Sequence, residues 1–125
     1  MAARPQGGFT LIELLVVTSI IGILASIAIP QFAAYRTRGI DAKVMSAVRH
    51  VATGEEGYYA THSNYTSNVS ALDGMVLGDV QITVTAGNSG DLSSSFRVHG
   101  SHTETAHTYD WVSDPAPGDP NFLSP

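Results

Sequence analysis

The chain has 125 residues, no cysteine and a formal net charge of −5. This length is enough for about one domain, and without cysteine neither a disulfide nor a thiolate site can form. Four of the six basic residues, Arg36, Arg38, Lys43 and Arg49, are spread along one predicted helix and form no patch. The sequence therefore gives no direct evidence for nucleic-acid binding.

An uncharged run from Leu14 to Ile29 follows directly after Glu13. The residues from Phe9 to Ile29 would form about 31 Å of helix at 1.5 Å per residue, enough to cross the hydrocarbon core of a bilayer. An ionised carboxylate in such a helix is costly when lipid surrounds it. Glu13 is therefore predicted either to lie at the membrane surface or to have a charged partner.

The order of small and apolar residues at the N-terminus differs from that of a secretory signal. A secretory signal carries its small-residue cleavage site after the apolar stretch, whereas Gly7 and Gly8 come before it. A cut at this point would remove only a hydrophilic octapeptide. The apolar segment is therefore predicted to stay on the mature chain as an anchor.

The stretch "GGFTLIELLVVTSIIGILASIAIPQF" closely resembles the N-terminus of the type IV pilin family. The resemblance implies that a prepilin peptidase cuts after Gly8 and that the new N-terminal residue, Phe9, is N-methylated. Three regions follow from it: a leader at 1–8, a transmembrane and fibre-core helix at 9–29, and an amphipathic helix with a globular head at 30–125.

The resemblance also implies an assembly role for Glu13. In a pilus, the apolar helices leave the membrane and pack as the core of the fibre, where Glu13 would meet the Phe9 ammonium of a neighbouring subunit. A buried charge is tolerated when it is paired and costly when its partner is removed. Such a pair would fix the stagger between subunits, much as one polar residue fixes register in a coiled coil.

Charge alone predicts the opposite orientation from the family. Arg4 precedes the span, while Arg36, Arg38 and Lys43 follow it, so a count of cations would place the C-terminal side in the cytoplasm. The more specific motif implies a cytoplasmic N-terminus and an exported head, and this orientation is adopted.

Two residues in the apolar segment weaken a helix. Glycine costs about 1 kcal/mol in a helix interior, and proline removes a backbone hydrogen bond. The resemblance to pilins predicts that the segment between Gly22 and Pro30 loses helicity in the fibre. In the monomer we expect a continuous, slightly bent helix.

Beyond Pro30 the apolar residues follow a helical period, and this amphipathic helix is predicted to end between Thr61 and Asn64. Asp41 is among the polar residues assigned to the solvent face. The apolar stripe consists of Ile40, Val44, Ala47 or Val48, Val51 and Tyr58.

Three strands are predicted after a turn-rich connection at 63–75. Their ranges are 80–86, 95–100 and 107–113, and in the first Val80, Ile82 and Val84 alternate onto one face, as in a half-buried strand. The fold class is therefore α+β, a long helix packed on an antiparallel sheet of three or four strands, in the ladle form of pilins. Because the chain has no cysteine, packing of Trp111 and Phe122 is expected to hold the proline-rich tail.

Other polar clusters are interpreted as structural. Three acids, Asp110, Asp114 and Asp119, fit no defined calcium loop and are assigned to solvated turns. Histidines in "HGSHTETAH" are assigned to a wet sheet edge, because His99 and His102 would point to opposite faces of a strand. No metal, cofactor or catalytic residue is therefore predicted, and the absence of a nucleophile motif indicates that the chain is not an enzyme.

The function implied is that of a structural subunit of a type IV pilus. Its partners would be other pilin subunits, the prepilin peptidase and the pilus assembly machinery, first in the bacterial inner membrane and then in an extracellular fibre used for adhesion, twitching motility or DNA uptake. One alternative is a minor pilin or a type II secretion pseudopilin. The other is a single-pass membrane-anchored binding module that never polymerises.

Overall fold

A computed structural model describes residues 7–124. The chain divides into two compact units, one ending at Arg36 and the other, here called the head, beginning at Thr37. One helix contributes residues to both units. The elements are helix α1 (Leu11–His62), a 3₁₀ turn (Val69–Ala71), and strands β1 (Gln81–Ala86), β2 (Phe96–Ser101), β3 (Tyr109–Val112) and β4 (Phe122–Leu123).

The first unit is helical from Leu11 to its end, and Pro30 lies inside the helix. This agrees with the continuous helix predicted for the monomer. Three hydroxyl side chains donate to backbone carbonyls one turn earlier: Thr18 and Ser19 to Leu15, and Ser26 to Ile23. These bonds satisfy hydroxyl groups that otherwise face apolar surroundings.

The head packs the second half of α1 against a four-stranded antiparallel sheet in the order β1-β2-β3-β4. The predicted α+β class is therefore confirmed. Val44, Val48 and Val51 of the helix are fully buried and pack in one cluster with Val98 and Phe96 of β2. The apolar stripe read from the sequence is thus the face of α1 that forms the core.

Helix α1 ends at His62, inside the predicted interval. The cause is local: Ser63 has φ of 57°, the left-handed conformation that terminates helices, and its N–H donates to the carbonyl of Tyr59. Observed β1 and β2 differ from the predicted strands by one residue at one or both ends. Observed β3 is shorter than predicted at 107–113, and at its start the His107 amide donates to Thr105 Oγ1 instead of to a neighbouring strand.

Gly100 lies in the middle of the sheet, opposite Ile82 of β1 and Tyr109 of β3. A methyl group in place of its hydrogen would overlap with Val48 and would come within 3.1 Å of a Val44 methyl group. The helix approaches β2 closely here only because this residue has no side chain. Gly100 therefore sets the distance between the two layers of the head.

Two acids on α1 differ from the sequence-based expectation. Asp41, which the pattern assigned to the solvent face, is buried. Glu55, which the pattern did not single out, is fully buried. The expectation for Asp41 was wrong because its partners lie far away in the sequence, at Thr105 and His107.

The C-terminal tail is held without a disulfide, and the aromatic packing predicted for it is present. Phe122 contacts Trp111 edge to face, with ring centroids 6.5 Å apart, and stacks on Tyr109 at 6.0 Å. The guanidinium of Arg49 lies 4.8 Å from the centre of the Phe122 ring. Asn121 adds two backbone-directed bonds to Val112.

Candidate functional site

Glu13 closes the first turn of α1 through a reciprocal pair of bonds with Thr10. The Thr10 amide and hydroxyl both donate to Glu13 Oε2 at 2.8 Å, and the Glu13 amide donates to Thr10 Oγ1 at 3.2 Å. This arrangement is a capping box, which satisfies backbone N–H groups that a helix start leaves free. In the single chain Glu13 thus has a local structural role.

Phe9 lies next to this cap and is 90% exposed. Phe9 and Glu13 line one shallow apolar groove together with Ile12, Val16 and Val17. The structure therefore brings together the two residues that the sequence motif singled out for assembly. Gly8 precedes them outside any helix or strand, and residues 1–6 of the predicted leader lie outside the described residues.

The helix beyond this groove is apolar on every side. All its large hydrophobic residues from Leu11 to Ile29 are exposed, and its most apolar 18-residue window has a mean hydropathy of 2.5. By length and composition this helix can cross a membrane. A helix that is hydrophobic all round requires an apolar environment that this part of the chain does not itself provide.

Gly22 and Pro30 lie further along the same helix, eight residues apart. Pro30 has no amide hydrogen, so the carbonyl of Ser26, four residues earlier, loses its usual helical partner. A side chain at Gly22 would have no heavy atom within 4 Å, so glycine is not required there by packing. Neither residue belongs to the groove formed by Phe9 and Glu13.

Two clusters of polar groups fasten the segment after β2 to α1, and the sequence pattern predicted neither. In the first, Asp41 accepts a bond from Thr105 Oγ1, and its other oxygen lies 2.8 Å from His107 Nδ1. Burial opposes ionisation of this carboxyl, but the bonds from His107 and Thr105 outweigh it and lower the pKa of Asp41.

In the second cluster, Asp79 lies between a histidine and a lysine. One of its oxygens is 3.0 Å from His102 Nε2, and the other pairs with Lys43 Nζ. The bonds from His102 and Lys43 lower the pKa of Asp79. Since His102 is only 7% exposed, its assignment to a wet sheet edge was wrong.

The three acids near the C-terminus and His99 take part in separate contacts. Asp110 pairs with His99 at 2.8 Å, and Asp114 accepts the backbone amides of Asn88 and Ser89. The amide of Asp119 closes a turn onto the carbonyl of Ala116. Within residues 7–124 no three such side chains converge as a metal site would require.

Comparison with known proteins begins with the N-terminal motif. The sequence profile of the prokaryotic N-terminal methylation motif matches residues 3–29. The fimbrial protein EcpC of Eikenella corrodens is 33% identical over 110 residues, which cover 80% of this chain and 69% of that protein. The chain belongs to the type IV pilin family.

Other relatives support the same family. The type IV wide pilus major component PilA4 of Thermus thermophilus is 40% identical over 82 residues, 66% of this chain and 63% of the relative. The type IV major fimbrial protein FimA of Dichelobacter nodosus is 44% identical over 77 residues, 55% of this chain and 49% of the relative. This pilin thus matches between about half and two thirds of the length of these relatives. Pilins are structural proteins, which confirms the prediction that the chain is not an enzyme.

Proposed function

We propose that this pilin is the major structural subunit of a type IV pilus. The segment 9–29 holds the precursor in the bacterial inner membrane, a prepilin peptidase cuts after Gly8, and the pilus assembly machinery joins the subunits through their N-terminal helices. The observation that carries the proposal is a helix that exposes apolar side chains on all sides and starts with an acid at Glu13.

Cleavage and assembly are linked by charge. In the precursor, the nitrogen of Phe9 belongs to a peptide bond and carries no charge. After cleavage it becomes an ammonium group, and methylation leaves the positive charge in place. A partner for the Glu13 carboxylate of a neighbouring subunit therefore exists only on processed chains, which favours mature subunits over precursors during assembly.

The segment from Gly22 to Pro30 is proposed to lose helicity in the fibre. The Ser26 carbonyl has no amide partner at Pro30, and glycine at position 22 lowers helix propensity by about 1 kcal/mol. Opening this segment costs fewer hydrogen bonds than opening any stretch without proline. It would lengthen the subunit while the flanking apolar turns keep their packing.

PilA4 is a pilus major component and FimA a major fimbrial protein, which favours a major subunit over a minor pilin or pseudopilin. The proposed fibre would serve adhesion, twitching motility or DNA uptake. Abundance on sheared cell-surface fibres tests the assignment: a major pilin dominates them, a minor pilin is rare on them, and a membrane-anchored binding module is absent.

The assembly role of Glu13 is tested by Glu13→Ala, with Thr10→Ala as its matched control. Both variants lose the capping box, but only Glu13→Ala removes the carboxylate. Stranding the Phe9 ammonium in an apolar fibre core should cost roughly 3–5 kcal/mol per subunit. We expect Glu13→Ala to insert in the membrane and form few or no pili, whereas Thr10→Ala still assembles.

Equal defects in the two variants would show that Glu13 acts through the cap alone. Normal pili from Glu13→Ala would refute the pairing mechanism, whereas the absence of fibres from the wild type would favour the anchored module. Processing is tested separately by mass spectrometry of the mature chain, which should begin at a methylated Phe9. A start beyond residue 20 would contradict cleavage after Gly8.

A further inference from the structure

Glu55 is the one fully buried ionisable side chain among the described residues. Its Oε2 accepts the backbone amide of Thr66 at 2.9 Å, while its Oε1 is buried and has no hydrogen-bond partner. An unpaired buried carboxylate oxygen is unusual in a native protein and needs a physical explanation. A proton on this carboxyl would remove the charge that makes its burial expensive.

The surroundings of Glu55 disfavour ionisation. The groups that act on its charge are burial, the Thr66 amide, and the negative charge of Glu56 on the next position of α1. Tyr65 also faces Glu55 from the loop that connects α1 to β1, here called the connecting loop. The Tyr65 hydroxyl donates to Glu56 at 3.4 Å. None of these groups is a cation. Burial, the largest effect, raises the pKa of Glu55 above its ordinary value.

The bond from Thr66 to Glu55 fastens the start of the connecting loop to α1. Beside it, the Tyr65 ring stacks on Tyr59 and lies tilted against Phe96, with both pairs of ring centroids 4.6 Å apart. The Tyr65 amide also donates to the carbonyl of Leu92. Glu55 is thus at the point where helix, connecting loop and sheet meet, and solvation of its carboxylate requires this junction to open.

We propose that Glu55 is a proton-operated latch: in mild acid the neutral side chain holds residues 65–66 on the helix, and its ionisation loosens this junction. The sign follows from linkage. The folded head binds the proton more tightly than an opened head does, so the stability that Glu55 contributes is greatest below its ordinary pKa. This contribution falls as the pH rises from the ordinary pKa to the raised pKa. Above the raised pKa, the effect of Glu55 on stability no longer changes with pH.

The first measurement is a carboxyl titration of the full mature chain in detergent micelles. The chain contains only four glutamates, Glu13, Glu55, Glu56 and Glu104, so carbon-13-labelled glutamate gives four side-chain carboxyl signals in an NMR spectrum. We expect one signal, absent from Glu55→Gln, to titrate above the ordinary glutamate pKa of about 4.3. A Glu55 signal that titrates at or below this value would overturn the proposal.

The second measurement is hydrogen–deuterium exchange of the peptide that contains residues 63–68, corrected for intrinsic exchange. In the wild type, protection should fall between mildly acidic and mildly alkaline solution, tenfold for each unit by which the pKa of Glu55 in the folded head exceeds its pKa in the opened head. Glu55→Gln keeps an oxygen acceptor for the Thr66 amide, so its protection should not depend on pH. The matched control Glu104→Gln changes an exposed acid outside this junction and should retain the dependence.

Equal pH dependence in wild type and Glu55→Gln would exclude a latch, whatever the titration shows. If Glu55→Gln does not fold, the Glu55 signal is assigned by elimination from Glu13→Gln, Glu56→Gln and Glu104→Gln. Wild-type exchange then decides: protection that falls over the same pH range in which the Glu55 signal titrates supports the latch, and protection without such a change refutes it.

Discussion

Replacing Gly100 with alanine should strongly destabilise the head, because the new methyl group would overlap with Val48 Cγ2. It would also approach Val44 Cγ1 to 3.1 Å and Ile82 Cδ1 to 3.2 Å. Val44 and Val48 are fully buried, and two neighbouring strands hold β2 in place. Neither layer can therefore move aside without loss of packing elsewhere.

Overpacking of this kind costs about 1–3 kcal/mol, and three simultaneous close contacts place Gly100→Ala near 3 kcal/mol. Val48→Ala alone removes two buried methyl groups, a loss of about 2 kcal/mol from transfer and cavity formation. Because the smaller side chain leaves room for the new methyl group, the double variant should lose about 2–3 kcal/mol in total. The sum of the two single effects would be about 5 kcal/mol.

Urea unfolding of the full mature chain in detergent micelles measures these values, with fluorescence of Trp111 as the probe. Trp111 is the only tryptophan and lies on β3 of the head. Gly57→Ala is the control, since no heavy atom lies within 4 Å of its added methyl group and helix propensity should give about 0.5–1 kcal/mol of stabilisation. A loss below about 1 kcal/mol for Gly100→Ala, or additivity in the double variant, would refute this account of the packing.

Three further predictions concern the head. Residues 37–125 should fold as a soluble unit, because the core lies within them; a random-coil circular dichroism spectrum would contradict this. The melting temperature of the head should fall as the pH drops from the ordinary aspartate pKa towards the lowered pKa of Asp79. Asp79→Asn should reduce this dependence of the melting temperature on pH. An unchanged dependence would show that the pairs of Asp79 with His102 and Lys43 do not stabilise the head. Phe122→Ala removes three ring contacts and should speed proteolysis of the tail. The control Leu123→Ala, at a half-exposed position, should not. Equal proteolysis rates in the two variants would show that the Phe122 ring contacts do not hold the tail.

The elements of this fold could be predicted because their signals are local. The spacing of Val44, Val48 and Val51 identifies the buried face of the helix, and alternation in "VQITVTA" identifies β1. The end of α1 was located to within a few residues by the change to turn-forming residues. None of these three signals gives the separation of helix and sheet, which depends on a glycine at position 100 that periodicity does not mark.

The residues proposed for assembly were identified from a compact motif, whereas the polar interior of the head has no such local motif. Phe9 and Glu13 are four residues apart, and Phe9 directly precedes the Thr10–Glu13 cap, so both reach the same groove. Asp41 is 66 residues from its partner His107, and no local pattern indicates that this acid is buried. Glu55 follows the helical period of the core, spaced four residues from Val51, and that spacing was the available signal for its burial.

The chemistry of the N-terminal helix explains why assembly would depend on one charge pair. Lipid tails are about as apolar as leucine, so moving residues 11–29 from a bilayer into a fibre core exchanges one apolar environment for another. Hydrophobic burial alone then gives little net drive and no preferred stagger. In the proposed fibre the Glu13 carboxylate and the Phe9 ammonium would differ in this respect, because both would be costly in lipid and would be compensated only when neighbouring subunits lie in one register. Packing would hold the helices together, and this charge pair would set the axial stagger between neighbouring subunits.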